Sequence, residues 1–173
     1  MHTKNTALLL IDFQNDYFEG GKYPQHGADS LLPRLRQVIS AAKAAQMPII
    51  AIRHLGSAAA PFFNEGSAGA QFHLELHPEL QELSWVVDKR HADSFRNTQL
   101  ADLLQKLKVS RLLLAGMMTQ NCITHTALSP WGTRLEMVVL EDLCAAPDPL
   151  VHAIAIRALA DRVTVSSSQD WFA

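Results

Sequence analysis

The sequence predicts an α/β fold: a three-layer α/β/α arrangement around a six-stranded parallel sheet. Six short apolar runs recur along the 173 residues, at 6–12, 48–54, 84–89, 111–116, 136–142 and 162–167. Each run is continuous rather than alternating, the pattern of a strand covered on both faces and hence of a parallel sheet. Amphipathic stretches separate the runs, and parallel strands joined by helices require right-handed crossovers.

Taken in order, the first run, "TALLLID", carries five apolar residues and ends at Asp12. A helix follows on Leu31, Leu35, Val38, Ile39 and Ala42, which share one face, with Asp29 or Ser30 as N-cap. "PIIAIRH" is the second strand. The stretch 55–82 is rich in Gly, Pro and Phe and long for a connection, so it is expected to be a lid or an oligomer contact. "SWVVDK" is the third strand. Leu100, Leu103, Leu104 and Leu107 then recur at helical spacing behind Thr98 as N-cap. "RLLLAG" is the fourth strand, and a helix from about Gln120 to Ser129 should stop before Pro130. "EMVVLED" is the fifth. Val151, Ile154, Ala155, Ala158 and Leu159 mark a last helix, capped by Asp148 with Pro149 in its first turn. "RVTVSS" closes the sheet.

Composition narrows the functions. Hydrophobic residues make up 48% and charged residues 18%, with a formal net charge of -2 and no basic stripe, which argues against a nucleic-acid partner. No run approaches the ~20 apolar residues of a membrane span. The N-terminal segment lacks a long apolar stretch before Asp12, and the two cysteines, Cys122 and Cys144, make neither a disulfide framework nor a CxxC pair. The expectation is one domain over residues 1–173, soluble and cytoplasmic, with reduced thiols, acting on a small molecule.

In an open parallel sheet, ligands bind at the carboxyl ends of the strands. Asp12, Lys89 and Cys122 all fall there. Each has a plain alternative: Asp12 as a turn former, Lys89 as a solvated strand-end lysine, Cys122 as a small buried apolar residue. Cys144, in "EDLCAAPD", has no comparable setting and reads as structural. Together the three make a mechanism. A helix start and a nearby lysine lower the thiol pKa of Cys122, and an aspartate takes its proton. The thiolate attacks a trigonal carbon, backbone N–H groups hold the oxyanion, and no cofactor is needed.

Four blocks now stand out: "ALLLIDFQNDYFEGG", "VVDKRHADSFRNTQL", "LLLAGMMTQNCITHTAL" and "VVLEDLCAAPD". They resemble, in order and spacing, the signature blocks of the isochorismatase-like cysteine hydrolases, a superfamily that includes nicotinamidases and N-carbamoylsarcosine amidohydrolases. The resemblance implies a Rossmann-like fold, Asp12, Lys89 and Cys122 as catalytic triad, and a cis Met117–Met118 peptide that aims the Met118 and Cys122 N–H groups at the oxyanion. Many members are dimers or larger, so a homo-oligomer is expected. Metal-containing nicotinamidases carry an Asp-x-His pattern after the second strand. This chain has His54 there without it, so no metal is expected. His73 and His77, flanking "LEL", lack a nearby third ligand. The usual T-A-x-D-A downstream of the cysteine reads Thr126-Ala127-Leu128-Ser129-Pro130.

Retention of the cysteine favours C–N cleavage of a small amide or ureido compound through a thioester. The alternatives are a vinyl ether hydrolase of the isochorismatase type, a non-hydrolytic oligomeric binding protein that keeps the site, and a redox thiol. Candidate substrate contacts are Phe18, His54, Phe62, Phe63, Trp85 and His125, each of which is otherwise a core or surface residue.

Overall fold

The computed structural model describes residues 4–76, 80 and 85–172. Among these, six strands form one sheet: β1 (Thr6–Ile11), β2 (Ile49–His54), β3 (Val86–Lys89), β4 (Arg111–Met117), β5 (Glu136–Ala145) and β6 (Thr164–Ser166). Their order is β3-β2-β1-β4-β5-β6, and every neighbouring pair is parallel. The chain builds outward from β1 to β3, then returns to the other side of β1 with β4. That reversal opens a crevice at the carboxyl ends of β1 and β4.

The continuous apolar runs have the predicted cause. Leu8 and Leu10 of β1 pack into one core, and Ala7, Leu9 and Ile11 into the other. Helix α1 (Ala28–Ala44) covers the first face with Leu32, Leu35, Val38, Ile39 and Ala42. The opposite face is covered by α2 (Leu100–Lys106), α3 (Thr124–Ala127) and α4 (Pro149–Leu159), through Leu100, Leu104, Ala127 and Leu159. No helix among the described residues is long and apolar enough to cross a membrane.

Several boundaries differ from the sequence reading. Helix α1 starts earlier, behind Gly27 rather than Asp29 or Ser30. Gly27 takes a left-handed φ of 71°, which glycine adopts at little cost. Gln99, not Thr98, holds the N-cap position of α2, although the Thr98 hydroxyl still accepts from the Leu100 N–H at 3.2 Å. Asp148 caps α4 as expected, accepting from the Leu150 N–H at 2.7 Å. Strand β5 runs on to Ala145 through a register shift opposite Leu114 and Gly116, while β6, a sheet edge, is shorter than its apolar run. The helix expected over 120–129 is instead a wide π turn at Thr119–Ile123 followed by the four-residue α3.

The stretch 55–76 is no free lid. Phe63, Ala70, Phe72 and Leu76 enter the chain's own core. Buried Asp16 latches it, accepting from the Phe63 N–H at 2.7 Å and the Lys22 N–H at 3.2 Å. Gly69 packs so closely on the Asp16 carboxylate that a Cβ would lie 2.1 Å from Oδ1.

At the crevice, Gly116 has a φ of 134°, and a Cβ there would sit 2.0 Å from the backbone oxygen of Ile11. That neighbour is main chain in the central strand and cannot swing away. Gly116→Ala is therefore expected to lower stability by ~3 kcal/mol or more in urea unfolding. Gly27→Ala, also at positive φ but with nothing within 4 Å of its Cβ, should cost only about 1 kcal/mol. Equal losses would contradict the role given to the close approach.

Candidate active site

Strand β1 runs directly into Asp12, whose backbone takes a φ of 58° and so leaves the strand. Aspartate is one of the few residues that tolerate this region. The turn is held by the Asp12 N–H donating to Ile52 O at 3.1 Å and the Gln14 N–H donating to Asp12 O at 2.8 Å. On the other side of the switch point, β4 ends in a cis Met117–Met118 peptide, as the resemblance implied. The π turn then carries Cys122, with the Asn121 and Ile123 N–H groups both donating to Met118 O. The third residue, Lys89, ends β3, two strands away from β1. Its long side chain crosses the end of β2 to reach the crevice.

Lys89 Nζ lies 2.8 Å from Asp12 Oδ2 and 3.1 Å from Cys122 Sγ. It also contacts His54 Nδ1 at 3.1 Å and the carbonyls of His91 and Ala92 at 3.2 and 3.5 Å. Asp12, Lys89 and Cys122 are at most 1% exposed. Burial pulls the Lys89 ammonium down, but Asp12 and Cys122 hold its pKa above the ordinary lysine value. Among the described residues no aligned hydrogen bond caps either Asp12 oxygen. Oδ2 has the ion pair with Lys89, and Oδ1 is buried with no hydrogen-bond partner among the described residues.

The Cys122 thiol corrects the sequence reading. A helix start and a lysine were expected to lower its pKa. Burial, with the Asp12 charge adding to it, pushes it up to about 12, and Lys89 offsets only part of this. The four residues of α3 make too little helix dipole to compete with desolvation. Burial and the Asp12 charge both favour the neutral thiol.

The expected substrate contacts divide. His54 is brought into the cluster. Phe63 is fully buried, 6.0 Å from the His54 ring and 4.4 Å from that of Tyr17. Phe62 is partly buried and stacks on Tyr23 at 5.2 Å. Phe18 is 1% exposed and packs on His73 at 4.1 Å, as part of the core. Trp85 lies away from the site: it precedes the amino end of β3 and packs on the α2 side, about 13 Å of strand from Lys89. His125 is exposed on α3. His77 falls outside the described residues.

Sequence reasoning missed the residues that hold these groups in place. Gln14, fully buried, donates from Nε2 to the carbonyls of His54 and Ala70 at 2.8 Å each, and its Oε1 accepts from the His54 N–H at 2.7 Å. Its only signal was its place in the "IDFQND" block. Thr126 and Ser129 latch the loop that carries the Lys89 carbonyl contacts. The Thr126 hydroxyl accepts from the Ser94 N–H at 3.0 Å, and the Ser129 hydroxyl donates to Asp93 Oδ2 at 2.7 Å. Ser129, the departure from the usual pattern, thus has a structural task. It also accepts from the Trp131 N–H to start the short turn at Pro130–Gly132. Cys144 is buried between strands, as expected of a structural thiol.

Asp12, His54 and Cys122 each place one donor atom within 4.8 Å of the others, spacing that suits a metal ion. Lys89 Nζ already lies against all three. The trio is organised around an ammonium, and a divalent cation among these atoms would face that charge, so the residues do not fit a metal.

Known proteins resemble this chain along most of its length. The secreted isochorismatase effector Isc1 of Verticillium dahliae is 31% identical over 175 residues, covering 97% of this chain and 90% of its own. The ureidoacrylate amidohydrolase RutB of Acinetobacter baylyi is 25% identical over 181 residues, covering 85% and 73%. A solved structure from Oleispira antarctica, described as an isochorismatase hydrolase, superposes with a TM-score of 0.90 at 33% identity and covers 99% and 98% of the two chains. The family model for the isochorismatase domain matches residues 6–170, from β1 to the turn after β6. Sheet order, the cluster at the switch point and these matches agree, and the chain belongs to the isochorismatase family of hydrolases.

Proposed function

We propose that the protein is a metal-independent cysteine hydrolase that cleaves a C–N bond of a small amide or ureido compound through a thioester. The observation that carries this reading is one buried ammonium, Lys89 Nζ, within 2.8 Å of a carboxylate and 3.1 Å of a thiol at the switch point of the sheet. The amide hydrolase RutB among the relatives supports the C–N bond as the target.

Because the neutral thiol is favoured, proton transfer and attack are coupled. Asp12 takes the Cys122 proton as Sγ bonds to the substrate carbonyl carbon, and Lys89 stabilises the sulfur charge that develops. The carbonyl electrons move onto oxygen, held by the Met118 and Cys122 N–H groups. The oxyanion collapses, the C–N bond breaks, and protonated Asp12 gives its proton to the leaving nitrogen. Water then attacks the thioester with Asp12 as base. The products are a carboxylic or carbamic acid and the regenerated thiol.

A panel of small carboxamides and ureides, read by ammonia release, tests this. A productive substrate should also leave an acyl adduct on Cys122, visible by mass after rapid acid quench. Release of ammonia with the adduct found elsewhere would overturn the assignment. No release and no adduct across the panel would favour a non-hydrolytic binding protein.

A further inference from the structure

His54 ends β2 in register with Lys89 and lies between that residue and Asp12. Its backbone is pinned on both sides by Gln14, as described above. Its ring contacts Lys89 through Nδ1 at 3.1 Å, with Asp12 Oδ2 at 4.0 Å. An ammonium has only donors, so Nδ1 must be the acceptor. The ring is then neutral and Nε2 carries its proton. Burial and the Lys89 charge both lower the His54 pKa, which agrees with a neutral ring. Among the described residues nothing accepts from Nε2, and the side chain is 20% exposed, so this N–H is left without a partner at the edge of the cluster. A ring nitrogen of His54 and Cys122 Sγ lie within 4.8 Å.

We propose that His54 determines specificity: its Nε2–H donates to an acceptor on the acyl half of the substrate. The site then selects carboxamides or ureides bearing a second carbonyl oxygen or ring nitrogen near the scissile bond, over acyl groups that are purely hydrocarbon. A site built to donate to an acceptor discriminates against analogues lacking one, because a donor that the bound molecule shields from water is left unpaired. The proposal deepens the hydrolase reading and rests on it only in taking Cys122 as the attacking atom.

Two small alkylating probes isolate the effect. Iodoacetamide places a carbonyl next to the carbon that Cys122 attacks; allyl iodide has no polar atom there. Both report the same thiol, so any change in its reactivity cancels in the ratio of their rate constants. His54→Phe is expected to lower the iodoacetamide-to-allyl-iodide ratio about threefold to tenfold, the value of one neutral hydrogen bond. His54→Gln, which can accept from Lys89 and still donate, should keep the wild-type ratio. If both rates fall in parallel in His54→Phe and the ratio holds, His54 acts only through Lys89 and the proposal is overturned. Long-range 1H–15N spectra of the wild-type protein at pH 7 give a readout that no folding defect can spoil. The Nε2–H tautomer is expected, and an Nδ1–H or doubly protonated ring would overturn the proposal. Neither readout needs turnover. Retained labelling selectivity without ammonia release would sink the hydrolase reading alone.

Discussion

Cys122→Ala is expected to remove turnover of any productive amide by on the order of 10⁴-fold or more, because no other group within reach can form the thioester. Stability should change by only about 1 kcal/mol, since a small buried side chain is exchanged for one slightly smaller. Circular dichroism and urea unfolding check the second half, and single-turnover kinetics the first. The wild-type sulfur makes a companion statement. Burial pushes its pKa up to about 12, so iodoacetamide labelling should keep rising with pH throughout the range 7 to 10. A plateau near pH 8 would mean that the thiolate is far better stabilised than the buried geometry implies. Turnover of the wild type in that event would not need Asp12 as the proton acceptor.

Lys89→Met should be the most damaging change to the site as a whole. The substitution leaves Asp12, itself 0% exposed, as a buried charge with its ion-pair partner gone. Breaking such a pair costs about 3–5 kcal/mol. Turnover is lost as well, because the developing sulfur charge has no cation beside it. Asp12→Asn in the same background removes the stranded charge. The double variant should therefore unfold at higher urea than Lys89→Met alone while remaining inactive, a coupling of about 2 kcal/mol or more in a double-mutant cycle. Additive losses would show that the two side chains contribute to stability independently, against the 2.8 Å geometry.

The same site shows which parts of the protein are written locally. Strand β1 is legible because five consecutive apolar residues must be covered on both faces, and the structure buries Leu8 and Leu10 on one side and Leu9 and Ile11 on the other. The start of α4 is legible because Asp148 and Pro149 are the local chemistry of a helix N-terminus. Asp12, Lys89 and Cys122 could be named from strand-end positions and block spacing, since both are properties of the linear chain. The pattern failed where the backbone does something that no single residue type demands. The π turn at Thr119–Ile123 replaces a helix start, and the stretch 55–76 packs into the core in a way its composition does not announce, because Asp16 and Gly69 meet only in three dimensions.

By itself, then, the sequence determined the α/β class and the strands, and it singled out Asp12, Lys89 and Cys122, which the structure brings within contact of one another. Strand order was decided only in the tertiary structure. That order sets β2 between β3 and β1 and makes His54 a neighbour of the Lys89 ammonium. It also reversed the sense of the Cys122 pKa. Periodicity and capping act over a few residues and leave a mark in the chain, whereas desolvation and the charge beside a buried thiol depend on which distant segments close around it.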